Sequence, residues 1–301
     1  MKVLINTEAL PDSQWHWDPA APVSGTSKFY VRVAEGLAAK GHQVTVVFDG
    51  KIGRYRGVNY YGRHPVFSDV FDADVQLDCN IIAERRAARR VHWTSLYKSR
   101  DFLTASYDHV FLLSRFHAST IIRGDRLPAN VSLLPLGSDV PFVAPGSESF
   151  RNRERTCFYS SSPDRGGTLL QQCWPEIEAA TGYRLVTSPY DSDSDVAEVY
   201  RSSRFWLHPA HGVELFCVSA IEAQSAGCIP IVVPHMALAE TVRYGVKTDL
   251  FRFQQTVIDT LKAAEDWGWV ETMMASRRDA LAADPIATWA EIVDLVEARL
   301  Q

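Results

Sequence analysis

Short runs of β-branched and aromatic residues alternate with longer stretches whose apolar positions recur every three to four residues. The first runs are residues 3–6, 28–39 and 43–48, which predict a strand, a helix and a strand. Lys40-Gly41 is a helix stop signal, and the crossover length suits two parallel strands of one sheet. Further strands are expected at 75–79, 90–93, 109–114 and 131–136, so the first half reads as an open α/β sheet. Periodicity then stops over 142–155, where Pro145, Gly146 and a charged cluster mark an exposed linker. Alternation restarts beyond it: strands at 156–161, 184–188, 205–209 and 228–233, and helices at 168–180, 194–202 and 219–226. From 238 onward the pattern is helical, with Pro285 separating a last helix at 286–300.

The expected architecture is therefore two doubly wound α/β domains, 1–148 and 149–285, with 286–301 as a terminal helix. Their ligands are expected beyond the carboxyl ends of the strands, in a cleft between the domains. The 301 residues suffice for two cores, and 46% hydrophobic with 22% charged residues excludes a disordered chain. No stretch reaches the roughly 18 uncharged apolar residues of a membrane span. The apolar run at the N-terminus is too short for a signal-peptide core, and five cysteines without a C-x-x-C pair argue against a disulfide framework or structural zinc. Together these predict a cytoplasmic protein. A net charge of −5 disfavours generic nucleic-acid binding.

The densest chemistry lies at 211–233, HGVELFCVSAIEAQSAGCIPIVV. Glu214 falls in the loop after a strand, and Glu222 follows in the first turn of the next helix. A helix start between them offers unpaired N–H groups and a positive dipole end to a phosphate. One carboxylate can then hold ribose hydroxyls and the other a sugar beyond the phosphates. The residues equally fit a capping box, Ser219-Ala220-Ile221-Glu222, in which Glu222 only satisfies backbone N–H groups. Arg85, Arg86, Arg89 and Arg90 read as i, i+4 pairs along one helix face, either a solvated face or a contact for an anionic membrane surface or phosphorylated lipid. Trp15 and Trp17 could stack on a sugar or plug their own loop.

The pair E-x7-E followed by A-x-x-A-G-x-I-P-I-V resembles the signature of retaining GT-B glycosyltransferases of family 4. Residues 159–167 resemble that family's phosphate-contacting loop, and 195–209 its helix and strand before the glutamates. Residues 23–28 with Gly41-His42, the segment 131–139, and Thr288-Trp289 resemble its first loop and helix, its entry to the linker, and a terminal helix crossing back to the first domain.

The resemblance implies transfer of a hexosyl group from a nucleotide diphosphate sugar to a hydroxyl of a carbohydrate, lipid-linked or small-molecule acceptor. It implies no cofactor and no metal. Residue by residue it assigns Glu214 to the donor sugar and Glu222 to the ribose, with Leu215, Phe216, Val218 and Ser219 around the donor. Arg165 takes the place of the usual phosphate-binding lysine. Ser161 lies near the usual arginine, and Cys217 stands where glycine is common. Gly25 opens the first helix where backbone can approach a phosphate or acceptor, His92 takes roughly the place of a family histidine that faces the reacting sugar or, as a lone histidine, serves structure, and Trp15 and Trp17 lie on the acceptor side. Two other readings share these residues: a further GT-B activity, such as a phosphorylase or epimerase, and a non-catalytic sugar-nucleotide-binding module.

Overall fold

The computed structural model describes all residues except 8–24, 49–51, 63–71, 99–101, 103–105, 125, 145, 162, 188–192, 210 and 211. The chain divides into two compact units, Met1–Gly137 with Ala287–Gln301, and Ser138–Ile286. The division falls at 137/138, where the sequence pattern drew it at 148/149.

The first unit runs β1 (Lys2–Thr7), α1 (Gly25–Ala39), β2 (Gln43–Phe48), β3 (Gly53–Tyr55), β4 (Val58–Gly62), β5 (Val75–Cys79), β6 (Arg89–Thr94), β7 (His109–Leu112), α2 (Arg115–Ile121) and β8 (Val131–Leu133). Its sheet has the order β3-β4-β2-β1-β5-β6-β7-β8. Only β3 is antiparallel to its neighbour. Strands such as β5 are buried at every residue because both faces of a parallel sheet are covered. The β3–β4 hairpin was missed in the sequence. Its two turn residues, Arg56 and Gly57, both have positive φ, and arginine is not the asparagine or aspartate that signals such a turn.

The second unit runs α3 (Ser147–Arg151), β9 (Glu154–Tyr159), a 3-10 turn (Pro163–Arg165), α4 (Gly167–Thr181), β10 (Arg184–Thr187), α5 (Asp193–Ser202), β11 (Ser203–His208), α6 (Val218–Ala226), β12 (Ile229–Val232), α7 (Leu238–Thr241), β13 (Val246–Lys247), α8 (Phe253–Ala263) and α9 (Trp267–Ala283). Its all-parallel sheet has the order β10-β9-β11-β12-β13. The chain leaves β9 to one side and returns to β11 on the other, so the strand order reverses between these two strands. The short β13 interrupts the region expected to be all helical.

The last helix, α10 (Trp289–Leu300), belongs to the first unit. A full capping box between Thr288 and Glu291 starts it. It lies so close to α1 that a Cβ on Gly36 would meet the Val293 side chain at 2.4 Å. Glu297 fastens it through His42 at 2.6 Å and Lys40 at 2.5 Å.

The arginine run requires a correction. Residues 85–90 form no helix: they are irregular until β6 begins at Arg89. Arg90 is buried on Asp78, Arg89 donates to the Arg299 carbonyl at 2.8 Å, Arg85 donates to the Ala87 and Ala88 carbonyls, and Arg86 pairs with Glu84 at 2.6 Å. The polypeptide around them uses these guanidinium groups as internal donors, which removes the basis for a cationic helix face against a membrane. No described helix is long and apolar enough to cross a membrane.

Candidate functional site

In an open parallel sheet, the loops leaving the two strands at the order reversal part to opposite faces and leave a crevice. In the second unit these are the loop after β9, carrying Ser161 and Arg165, and the loop after β11, carrying Glu214. Glycines let the two loops meet. Gly166 has φ +109°, and a Cβ there would lie 2.6 Å from Pro209 of the other loop. A Cβ on Gly167 would lie 2.8 Å from the Tyr159 ring. Two helices start from these loops. The residues preceding α4 and α6 are Gly166 and Cys217, and neither caps its helix with a side-chain hydrogen bond. Both positive helix ends therefore retain backbone N–H capacity for an anion.

Arg165 Nη1 donates to Glu214 Oε2 at 2.8 Å. The pair is unequal in exposure: the Glu214 side chain is 9% exposed and that of Arg165 43%. Burial pushes the Glu214 carboxyl above the usual carboxylate range, and the Arg165 charge and the Phe216 N–H only partly offset it. The Ala237 N–H holds the Glu214 carbonyl at 3.1 Å, which fixes the loop from below.

The floor is aromatic. His208, the last residue of β11, stacks on Trp206 at 5.2 Å and 8° and on Tyr159 at 6.2 Å and 20°. Burial, assisted by the Arg165 charge, lowers the His208 imidazole to about 4, so the ring is neutral at pH 7. Its Nδ1 is buried without a hydrogen-bond partner among the described residues. Beside it the Trp206 Nε1–H donates to Ser160 Oγ at 3.1 Å, and Ser160 Oγ shares a 2.7 Å hydrogen bond with the Tyr200 hydroxyl, which also donates to the Ser219 carbonyl at 3.3 Å. Ser161 lies in hydrogen-bonding reach of the Tyr159 hydroxyl.

The capping-box alternative for Glu222 is not realised. Helix α6 starts at Val218, Cys217 precedes it, and Glu222 is its fifth residue, two positions deeper than a capping box on Ser219 requires, and is buried beside Tyr200. Leu215 is buried, and Phe216, Val218 and Ser219 are half-buried around the helix start. At the other end, Arg277 donates to the carbonyls of Gln224 at 3.1 Å and Ser225 at 3.3 Å, and Arg153 to that of Ala226. Two cations thus hold the negative end of the helix whose positive end opens the site.

In the first unit, Gly25 is the first residue of α1, and Trp15 and Trp17 lie outside the described residues. His92 sits in β6, in register with Asp78 of β5, which faces Asn6 of β1. It is 2% exposed, stacked on Phe102 at 4.8 Å and tilted against Tyr107 at 4.9 Å. Burial, then the Arg90 charge, lowers it to about 3, which makes it a neutral ring.

Two groups of residues escaped the sequence reading. One is His208, hidden inside an apolar strand. The other is the network on Asp78, whose carboxylate accepts from Asn6 at 2.8 Å, Gln76 at 2.9 Å, Tyr107 at 2.7 Å and Arg90 at 2.8 and 3.0 Å. Its signal was available: Gln76 and Asp78 are polar on one face of a strand that is buried throughout, and buried polar groups need partners.

No family model matches the sequence, and no curated protein matches it. Solved structures do match in fold. A sucrose-phosphate synthase from Thermosynechococcus elongatus has a TM-score of 0.70 at 14% identity, over 99% of this chain and 98% of that one. A glycosyltransferase from Rickettsia africae has a TM-score of 0.70 at 12% identity, over 99% and 97%. HepE from Anabaena, solved in complex with UDP and glucose, has a TM-score of 0.69 at 11% identity, over 100% and 99%. The chain thus has the two-sheet α/β fold of GT-B glycosyltransferases.

Proposed function

We propose that this chain is a metal-independent glycosyltransferase that moves a hexosyl group from a nucleotide diphosphate sugar to an acceptor hydroxyl with retention of configuration. The observation that carries the reading is the Arg165–Glu214 pair, set between two helix starts without side-chain caps at the order reversal of a parallel sheet. Support also comes from the fold likeness, and from HepE having been solved with UDP and glucose.

The pair explains how a donor would engage. Arg165 is the one cationic residue of the loop 160–167, and its guanidinium can chelate two phosphate oxygens. A diphosphate drawing Arg165 away frees the Glu214 carboxylate to accept a sugar hydroxyl. The N–H groups opening α4 and α6 add positive potential where negative charge grows on the leaving diphosphate. Glu222 takes the ribose, and Leu215, Phe216, Val218 and Ser219 wall the donor. The bond between the anomeric carbon and the phosphate oxygen breaks, with its electron pair going to the diphosphate. The acceptor oxygen bonds to the same face of that carbon, and its proton passes to the departing phosphate oxygen. His92, being neutral, serves the sugar by hydrogen bonding and not as a charged acid, and its aromatic cover must move for a sugar to reach it.

A thermal-shift screen against nucleoside diphosphates and their sugars, with the matching nucleosides as controls, tests the reading. A donor at 100 times its dissociation constant stabilises by about 2.7 kcal/mol. The reading is overturned if no nucleoside diphosphate or nucleotide sugar shifts the transition. Detection of glycosylated acceptor then separates a transferase from a binding module.

A further inference from the structure

We infer that His208, Glu214 and Cys217 form a binding site for a thiophilic divalent cation of the zinc class, which competes with Arg165 for the Glu214 carboxylate. A ring nitrogen of His208, a carboxylate oxygen of Glu214 and the Cys217 sulfur all lie within 4.8 Å of one another, and all three residues are buried. Imidazole nitrogen, carboxylate oxygen and thiolate sulfur are the three ligand types that zinc takes in proteins. Three different elements supply them: the end of β11, the loop that follows, and the residue preceding α6.

The second observation is the unsatisfied histidine. His208 Nδ1 is buried with no hydrogen-bond partner among the described residues, and stacking on Trp206 and Tyr159 fixes the ring's orientation. A buried polar atom without a partner is unusual and calls for a ligand or a role. Tetrahedral zinc holds its ligand atoms about 3.5 Å apart. A dication placed there repels the Arg165 guanidinium that Glu214 now accepts from at 2.8 Å, so cation and arginine compete for the carboxylate.

The charges balance. Cys217 gives its thiol proton to solvent, so one proton leaves per cation bound, and thiolate and carboxylate together neutralise the dication. The Arg165 guanidinium turns outward, where 43% of its side chain is already exposed. In the loaded state Glu214 cannot serve a sugar, while Arg165 stays available to a diphosphate. This last consequence rests on the proposed function, whereas cation binding does not.

Titration of metal-stripped protein with cobalt(II) tests the site. The expected result is a thiolate-to-cobalt charge-transfer band saturating at one equivalent, absent in Cys217→Ser and requiring at least tenfold more cobalt in His208→Phe. A folded wild-type protein without the band, or a band that persists in Cys217→Ser, overturns the site. If a variant does not fold, anomalous scattering at the zinc edge from zinc-loaded wild-type crystals decides: a peak between Glu214 and Cys217 upholds the site, and its absence there overturns it. Zinc should also suppress sugar transfer at least tenfold without weakening binding of the nucleoside diphosphate that the thermal-shift screen identifies. Failure of every nucleoside diphosphate and nucleotide sugar to bind the metal-free protein would remove the glycosyltransferase reading and leave the cobalt result standing.

Discussion

Asp78 in the first unit and Glu214 in the second are both buried carboxylates paired with an arginine near the carboxyl end of a parallel sheet, yet they are built for different purposes. Asp78 is 0% exposed, its partner Arg90 7%, and five hydrogen bonds from four side chains saturate it. Glu214 is held by the Phe216 N–H and by one guanidinium that is nearly half in solvent. A saturated pair in low dielectric cannot exchange its partner without leaving a bare charge, so it can only serve structure. A pair with one exposed partner can trade it for a ligand's charge. The lesson is that exposure of the partner, more than burial of the acid, separates a scaffold carboxylate from a candidate site.

The largest effect should come from breaking the saturated pair. Asp78→Ala strands the buried Arg90 and should lower unfolding free energy by about 3–5 kcal/mol in urea titration. Nucleotide affinity of the remaining folded protein should not change. A loss under 1 kcal/mol would dissolve the contrast.

Next come the groups proposed to face the ligand. Glu222→Ala should weaken nucleotide binding by about 1.5–3 kcal/mol, measured by calorimetry, the range for hydrogen bonds to charged groups. Arg165→Ala should harm nucleoside diphosphate binding by a similar amount and leave the nucleoside nearly untouched; equal losses for both would reassign Arg165 to folding. Glu214→Gln and His92→Ala should lower turnover about tenfold to a hundredfold, as such hydrogen bonds allow, while sparing nucleoside diphosphate affinity.

Acid should act through the buried histidines. Folding depresses His92 to about 3 and His117 and His208 to about 4, in each case mainly through burial. The unfolded chain protonates these rings near 6.5, so it binds more protons, and stability falls as pH drops from about 6.5 toward 4. The slope should reach about 1.4 kcal/mol per pH unit for each such histidine. His117 is the clean probe. It accepts from the Leu113 N–H at 3.2 Å through Nδ1, which leaves Nε2, 3.1 Å from the Leu96 carbonyl, to donate as a neutral ring does. Urea midpoints for His117→Gln should fall less steeply with acid than wild type, and parallel curves would contradict the assignment.

The smallest effect sharpens the opening contrast. Arg165→Ala should change unfolding free energy by less than about 1 kcal/mol, because a half-exposed ion pair is screened by water. A loss as large as that of Asp78→Ala would make Glu214 a second scaffold carboxylate.

Much of this was legible in order along the chain. The strands at 43–48 and 75–79 were bounded as they are found, and α4, α5 and α6 begin and end within a residue of expectation. Periodicity reports the buried face of β2 and α4, whereas β5 and most of α6 are buried on every side and were bounded by the turn residues that flank them. The β3–β4 hairpin and the two-residue β13 lacked that signal, being short and turned by residues without a strong signature. Arg85, Arg86, Arg89 and Arg90 misled for a related reason: charge spacing fits a helix face, but the Arg299 carbonyl and Asp78 claim Arg89 and Arg90 from distant segments, and Arg85 and Arg86 turn to Ala87, Ala88 and Glu84 beside them.

At the site, sequence alone determined the ingredients. It placed Glu214 in a loop, Glu222 in a helix and Arg165 in the preceding loop, because turn chemistry and periodicity are local. It could not determine that Arg165 and Glu214, 49 residues apart, share a hydrogen bond, nor that His208 and Cys217 converge on the same carboxylate. It also left open whether Ser219 caps a helix with Glu222, which Val218 settles by starting α6 one residue earlier. Those facts depend on which strands are neighbours. Strand order is fixed by packing across the whole sheet, and no stretch of local sequence contains it.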